Sequence, residues 1–510
     1  MGVGGKIVRN VVFGALRVLV VAPIPLLVTP FVIGRVGAKG YGTWAVFLAI
    51  NGLTSLADLG FLGTLTKHIS EHFTNKDHGQ LERVFNAGLL MYFAVAIVCA
   101  AALNISGRLV ISVFFQNTSL PLPDLRHAIQ LFTLVIVLNL LAFPFSSIIA
   151  GLQRLDLTNS LSAANTIITA LGTVLFLAAG LGFMGLIYSV VLASSINLLL
   201  YIWAARYLLP QLRISPGRVR MEDIKALFSF SLKIYVTQVA VAAHGQTEKF
   251  LLAHFVGLTP VGWYDIANEL SGKLRNIPAL LLSPLLPAAA ELDARGDETR
   301  MAELYRRSHK YLAFLGIPVV AVTALLARRF VQVWLGPGFS GVAMALVFLT
   351  GVQFINLTSG PGLLILLGKG LLEPGVRSAT LGVIVNLISS TIFIVLFGFA
   401  GAVYGTSLAL FIATAYFILA FHRVTHYPIS ALLTPYAKSF AWAACLALLA
   451  EVVVPIRQLT WTGMTITAAA FATIYGMGLL LLRYFDAFDL QVLTRFLPIP
   501  KAFKGISFVA

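Results

Sequence analysis

Charged and hydrogen-bonding residues interrupt the apolar runs of this 510-residue chain, and they recur at helical spacing. Lys233, Thr237, His244 and Glu248 fall at i, i+4, i+11 and i+15, inside roughly 60° of arc on an α-helix. Asp265, Glu269, Lys273 and Asn276 make a second stripe, and Asn51, Ser55 and Asp58 a third. Arg17 sits alone in an apolar run, and Gln353 and Asn356 share another. Some of these are expected to be structural: Glu269 and Lys273 have the favourable i, i+4 order for an ion pair, and Lys233 can snorkel toward an interface. Polar stripes of both signs on several helices are better suited to lining a shared water-filled cavity. His244 and Glu248, one turn apart, form a pair that could exchange a proton during a working cycle. Asp58, Asp265 and Glu269 are the other acidic candidates for ion coupling.

The elements that carry these residues are membrane spans. The chain is 58% hydrophobic and 11% charged, where a soluble protein carries about 25% charged residues. Its apolar runs are about 20 residues long, the length that crosses a bilayer as a helix, and they lack the alternation of a barrel strand. The reading is an all-α polytopic membrane protein with about 14 transmembrane helices. Cys99 and Cys445 lie in apolar spans and offer no metal cluster, and no cofactor motif is present. A net charge of +16 would suggest nucleic acid in a soluble chain; here it fits basic loops that fix topology and meet membrane lipids. Alternate loops hold the basic residues, among them Arg206, Arg213, Arg218, Arg220 and Lys225 between spans six and seven. The positive-inside rule puts those loops and both termini in the cytoplasm. In the same loop Met221, Ile224, Leu227 and Phe228 share one helical face, which predicts an amphipathic helix lying in the interface.

The two halves repeat. A shift of 220 residues lays "VGAKGYGTW" (36–44) on "VGLTPVGWY" (256–264), matching Gly37 with Gly257 and Gly42 with Gly262. The same shift brings Glu71 onto Glu291 and Asp77 onto Asp297, and "GFMGLIY" (182–188) matches "GFAGAVY" (398–404). These matches predict two six-helix lobes related by a parallel repeat: an N-lobe over 1–204, a cytoplasmic linker over 205–231, and a C-lobe over 232–421. Two extra spans over 437–482 and a cytoplasmic tail over 483–510 follow. The four glycines are expected in outer hairpins, where a side chain would obstruct the reversal, with Tyr41 and Trp44 at the membrane interface. Pro23, Pro25 and Pro30, then Pro278, Pro284 and Pro287, and "TSGPG" (358–362) are expected to break spans one, eight and ten.

The basic start, "RVGAKGYGTWA", "LADLG" and "QTEKFLLAHFVGLTPVGWYDIANEL" resemble the polysaccharide-biosynthesis transporters of the Wzx type. These belong to the multidrug/oligosaccharidyl-lipid/polysaccharide (MOP) exporter superfamily, whose drug-exporting branch is MATE. The resemblance implies a MATE-like fold and flipping of a polyprenyl-pyrophosphate-linked oligosaccharide from the cytoplasmic to the outer leaflet of a bacterial inner membrane. It also implies a polysaccharide polymerase or glycosyltransferases as partners. Family members often place Asp before the basic residue of span seven; here Glu248 precedes Lys249. By location Arg17 and Lys249 or Lys273 match the cavity-lining basic residues of the related lipid II flippases. The residues agree with such a cargo: Arg17, Lys233 and Lys273 suit a pyrophosphate, and Asn51, Gln353 and Asn356 suit a sugar chain. The alternatives are a cation-coupled multidrug or metabolite antiporter of the same fold and a membrane glycan polymerase or ligase. No enzyme motif is found, and no outer loop is large enough for a ligase or polymerase site. Reporter fusions after residues 120 and 215 should report opposite sides of the membrane; the same side for both would overturn the topology.

Overall fold

A computed structural model gives the structure, and it describes residues 21 and 23–489 except Leu53, Leu59, Asn117, Pro216, Arg218 and Ala487. For residues 55–56, 230, 232–245 and 431 only the backbone is described, so Arg17 and the side chains of Ser55, Lys233, Thr237 and His244 lie outside the described set. Among the described residues there are helices and turns and no strand. The helices are α1 (Pro23–Gly52), α2 (Thr54–Ala57), α3 (Phe61–Thr74), α4 (His78–Phe114), α5 (Leu122–Gly151), α6 (Leu155–Ala178), α7 (Gly182–Leu208), α8 (Met221–Phe255) and α9 (Leu258–Ala279). They continue as α10 (Leu285–Ala294), α11 (Glu298–Leu335), α12 (Ser340–Leu357), α13 (Gly360–Gly368), α14 (Glu373–Phe397), α15 (Phe399–Thr425), α16 (Ser430–Val453) and α17 (Trp461–Leu481).

Eleven helical segments among the described residues are long and apolar enough to cross a membrane. Three expected spans are not among them. The first begins outside the described residues; the second is broken between Gly52 and Phe61; the seventh carries the charges of Lys233, Glu248 and Lys249. The chain divides into two compact units, 1–266 with 379–409, and 267–378 with 410–510.

The breaks expected in spans eight and ten are present, with their causes, whereas Pro25 and Pro30 lie inside α1, which bends only at Gly37, and Pro287 lies inside α10. α9 stops at Ala279, just past Pro278, passes through a tight turn at Leu280–Leu282, and resumes as α10 after Pro284. "TSGPG" separates α12 from α13. In the second unit these two breaks face each other, since a Cβ on Gly360 would stand 2.6 Å from the Leu282 side chain. A proline in a helix removes one backbone donor and clashes with the turn before it, so each break leaves backbone groups that the neighbouring segment must cover.

The repeat is visible in local geometry. Asp77 caps α4 by accepting from the Gln80 amide at 3.0 Å, and Asp297 caps α11 by accepting from the Arg300 amide at 3.0 Å. Gly37 kinks α1 with φ 73°, and Gly257 turns α8 into α9 with φ 126°. Both values lie where a side chain is strained. The other matched pair does something different from the expected hairpin. Gly42 is helical, and a methyl group there would overlap the Leu258 carbonyl; a Cβ on Gly262 would stand 3.2 Å from the Gly42 Cα. One pair therefore bends the chain, while the other lets α1 and α9 touch backbone to backbone inside the first unit.

Two further expectations are corrected. The amphipathic stretch 221–228 is no separate interfacial helix: it forms the first turns of α8, which runs to Phe255. Leu227 is buried there, and the Phe228 ring lies 6.2 Å from that of Phe61. Tyr41 is also buried and not at an interface, because α1 needs only the single kink at Gly37 and continues as a helix past it.

Gly42→Ala should lower the thermal stability of the purified protein by about 1–3 kcal/mol or abolish folding. Gly34→Ala, which meets nothing within 4 Å, should be neutral. Equal melting temperatures for both variants would remove the close-approach role.

Candidate functional site

The helix contact permitted by Gly42 and Gly262 places a buried polar cluster in the first unit. α8 carries Glu248 and Lys249 as consecutive residues, and on a helix these point about 100° apart. They accordingly find different partners. The Lys249 ammonium lies 2.5 Å from Asp265 Oδ1 on α9, and the Tyr41 hydroxyl of α1 donates to Asp265 Oδ2 at 3.2 Å. Lys249 and Asp265 expose only 7% and 5% of their surfaces. One ion pair with a hydroxyl thus ties α1, α8 and α9 together.

Glu248 faces the other way, toward α14 and α15. Its Oε1 accepts from Asn386 Nδ2 at 2.5 Å, Thr406 Oγ1 at 2.7 Å and Ser390 Oγ at 3.4 Å. The Tyr264 hydroxyl lies 2.8 Å from Thr406 Oγ1 and extends the chain back to α9. Glu248 is 1% exposed. Among the described side chains no Lys, Arg or His comes within salt-bridge distance of it, its neighbour Lys249 being taken by Asp265. A lone buried carboxylate charge is expensive in a low-dielectric site. Three donors, the Asn386 amide and the Thr406 and Ser390 hydroxyls, meet part of that cost by hydrogen bonding to Oε1.

The remaining candidates are placed elsewhere. Asp58 is buried where span two breaks; it accepts from the Leu62 amide at 3.0 Å and from the Tyr92 hydroxyl, so it caps α3. This is a structural duty that by itself accounts for a buried acid. Asn51 Oδ1 accepts from Asn139 Nδ2 at 3.4 Å. In the second unit Gln353 donates to Ser271 Oγ at 3.0 Å and to Asn268 Oδ1 at 3.3 Å, and Asn356 donates to Thr414 at 3.1 Å. Glu269 and Lys273 pair at 2.6 Å as their spacing predicts, with both side chains still reaching solvent. Among the described residues no three His, Cys, Asp or Glu side chains gather as metal ligands.

Tyr41, Tyr264, Asn386, Ser390 and Thr406 are cluster members that the sequence reading missed. Asn386 offers a signal, since it interrupts the apolar run "LGVIVNLI" much as Asn356 interrupts its own. Thr406 lies two residues past the repeated "GFAGAVY".

A further ion-pair group lies in the second unit, beyond α17. Asp489 accepts from Arg307 at 2.7 Å and also binds Lys310, while Arg307 lies 3.3 Å from Asp486. Partial burial pushes the Asp486 carboxyl up, yet the Asp489 amide and the two cations outweigh it and hold the group at about 2.

This arrangement, a helical membrane bundle with interrupted spans and buried polar groups, is a fold shared with transporters of known structure. The inward-closed lipid II flippase MurJ is similar over 92% of this chain and 98% of its own, with a TM-score of 0.71 at 14% identity. An inward-facing MATE multidrug resistance transporter is similar over 82% and 98%, with a TM-score of 0.63 at 12% identity. In sequence, residues 36–344 match the family of polysaccharide biosynthesis proteins, and the chain belongs to that family. Agl15 of Haloferax volcanii, named as a probable low-salt glycan biosynthesis flippase, is 22% identical over 77% of this chain and 79% of its own.

Lys249→Met should destabilise the protein by about 3–5 kcal/mol, since it leaves Asp265 buried and unpaired. The double variant Lys249→Met with Asp265→Leu should recover most of that loss. Thermal unfolding in detergent measures both; a double variant as unstable as the single one would show that the pair is not the unit of stability.

Proposed function

We propose that this chain is a flippase for a polyprenyl-pyrophosphate-linked oligosaccharide, working by alternating access in the biosynthesis of a cell-surface polysaccharide. The cargo moves from the cytoplasmic to the outer leaflet of the bacterial inner membrane, and both termini are cytoplasmic. The observation that carries the reading is membership of the polysaccharide biosynthesis family in a chain with the fold of a lipid II flippase. Agl15, named as a glycan biosynthesis flippase, supports the same class of cargo.

In this reading Arg17, Lys233 and Lys273 meet the pyrophosphate as charge-assisted donors. Asn51, Gln353 and Asn356 exchange their present protein partners for sugar hydroxyls. Glu248 is the coupling group. Proton or sodium uptake at its oxygen cluster neutralises a buried charge, and release restores it, so the energy of the cluster depends on the ion gradient. Lys249 is a positioning residue, because its charge is already met by Asp265.

Expression in a flippase-null strain supplied with defined lipid-linked oligosaccharide units tests the proposal. The wild-type gene should restore surface glycan, while Arg17→Ala and Lys273→Ala should each reduce export with the protein still in the membrane. Failure to restore export with any lipid-linked unit would defeat the flippase reading. Normal export in both variants would defeat the cationic head-group site. Glu248→Gln should remove the dependence of transport on proton or sodium concentration, and an unchanged dependence would remove Glu248 from coupling.

A further inference from the structure

A second polar site lies in the first unit, built by the opening of α4 and the α7–α8 linker. Gly79, Glu82, Arg83 and Asn86 fall at i, i+3, i+4 and i+7 on α4. With Arg220, the residue before α8, they line a cavity of about 300 Å³. Asn86 is 1% exposed and fixes the linker in place. Its Nδ2 donates to the Arg213 carbonyl at 2.9 Å and its Oδ1 accepts from the Ser215 amide at 2.8 Å. Gln211 lies 3.2 Å from the His78 ring and adds a second tie. These contacts hold the linker across the start of α4, so that Arg220 faces the same cavity as Arg83.

The chemistry of the cavity is cationic. Two guanidinium groups face one carboxylate, Glu82, which leaves a net positive charge. The Nε of Arg83 is buried and makes no hydrogen bond among the described residues. A buried guanidinium nitrogen without an acceptor is costly, and an arriving oxyanion removes that cost. The N-terminal end of α4, with Gly79 exposed in its first turn, adds the positive end of a helix dipole. The volume is ample for a diphosphate with part of its hydration.

We infer that this pocket binds a phosphate-bearing head group, gripped by Arg83 and Arg220. Two planar guanidinium groups suit a phosphate or diphosphate, which offers several oxygens to bidentate donors, better than a single carboxylate does. The site is separate from the Glu248 cluster, and the inference needs only the phosphate group, not the transport cycle. The group can come from a diphosphate or from a phospholipid of the surrounding leaflet.

Two arms separate those sources, with the full chain in each. In nonionic detergent, inorganic pyrophosphate is titrated at low ionic strength, and hydrogen exchange is followed over residues 78–86 and 211–220. In nanodiscs, phosphatidylcholine alone is compared with phosphatidylcholine containing phosphatidylglycerol. Pyrophosphate should protect both segments, with affinity falling at least about tenfold in Arg83→Gln and in Arg220→Gln. Arg423→Gln, in the other unit, should bind as the wild type does. Protection by phosphatidylglycerol alone, lost in the same two variants, assigns the phosphate to membrane lipid. No protection in either arm, or equal affinity in the wild type and both glutamine variants, overturns the inference. Arg220 is exposed and outside any helix, so Arg220→Gln keeps the test valid if Arg83→Gln folds poorly.

Discussion

The ion pair of Lys249 with Asp265 is the interaction on which the first unit turns. Two opposite charges buried at 2.5 Å cannot be separated cheaply, so α8 and α9 are locked together at one level. Tyr41 reaches the same carboxylate only because α1 lies against α9. That approach depends in turn on Gly42 and Gly262, the repeated glycines with no room for a Cβ between them. A charge pair, a hydroxyl and two missing side chains thus form one constraint. Removing any member loosens the others, since the ion pair tolerates little displacement and the glycine contact fixes how near the hydroxyl sits.

The same pair leaves Glu248 to other partners. Its position one residue before Lys249 would suggest that the two neutralise each other, but consecutive residues on a helix diverge by about 100°. Lys249 is drawn to α9, and among the described side chains Glu248 meets hydroxyls and an amide of α14 and α15. The arrangement therefore separates a charge pair that joins α8 to α9 from a carboxylate that hydrogen bonds to α14 and α15.

Much of this was legible in the sequence, for physical reasons. Spans announce themselves through hydropathy, and the breaks at Pro278 and "TSGPG" follow from proline and glycine chemistry. The repeat survives in residues with strict local duties, such as the caps Asp77 and Asp297 and the turn glycines Gly37 and Gly257. Spacing on one helix gave the Glu269–Lys273 pair. It did not give the partners of Glu248, because Asn386, Ser390 and Thr406 stand on helices far along the chain. Periodicity reports which residues share a face and is silent on which face meets it. Spacing did not show either that Asp58 accepts from the Leu62 amide at the break in span two.

Tyr41 sharpens the point. An aromatic beside a glycine-rich turn reads as an interface anchor, because tyrosine favours that zone. The turn, however, is a single kink at Gly37, and a helix resumes before Tyr41. Four residues past the kink, the ring is carried inward onto α9 and away from the membrane surface. The error lay in the length assigned to the turn, and the residue's role followed from it. In membrane helices one positive-φ glycine can do the work of a loop, since the backbone groups it exposes are few and the neighbouring helix covers them.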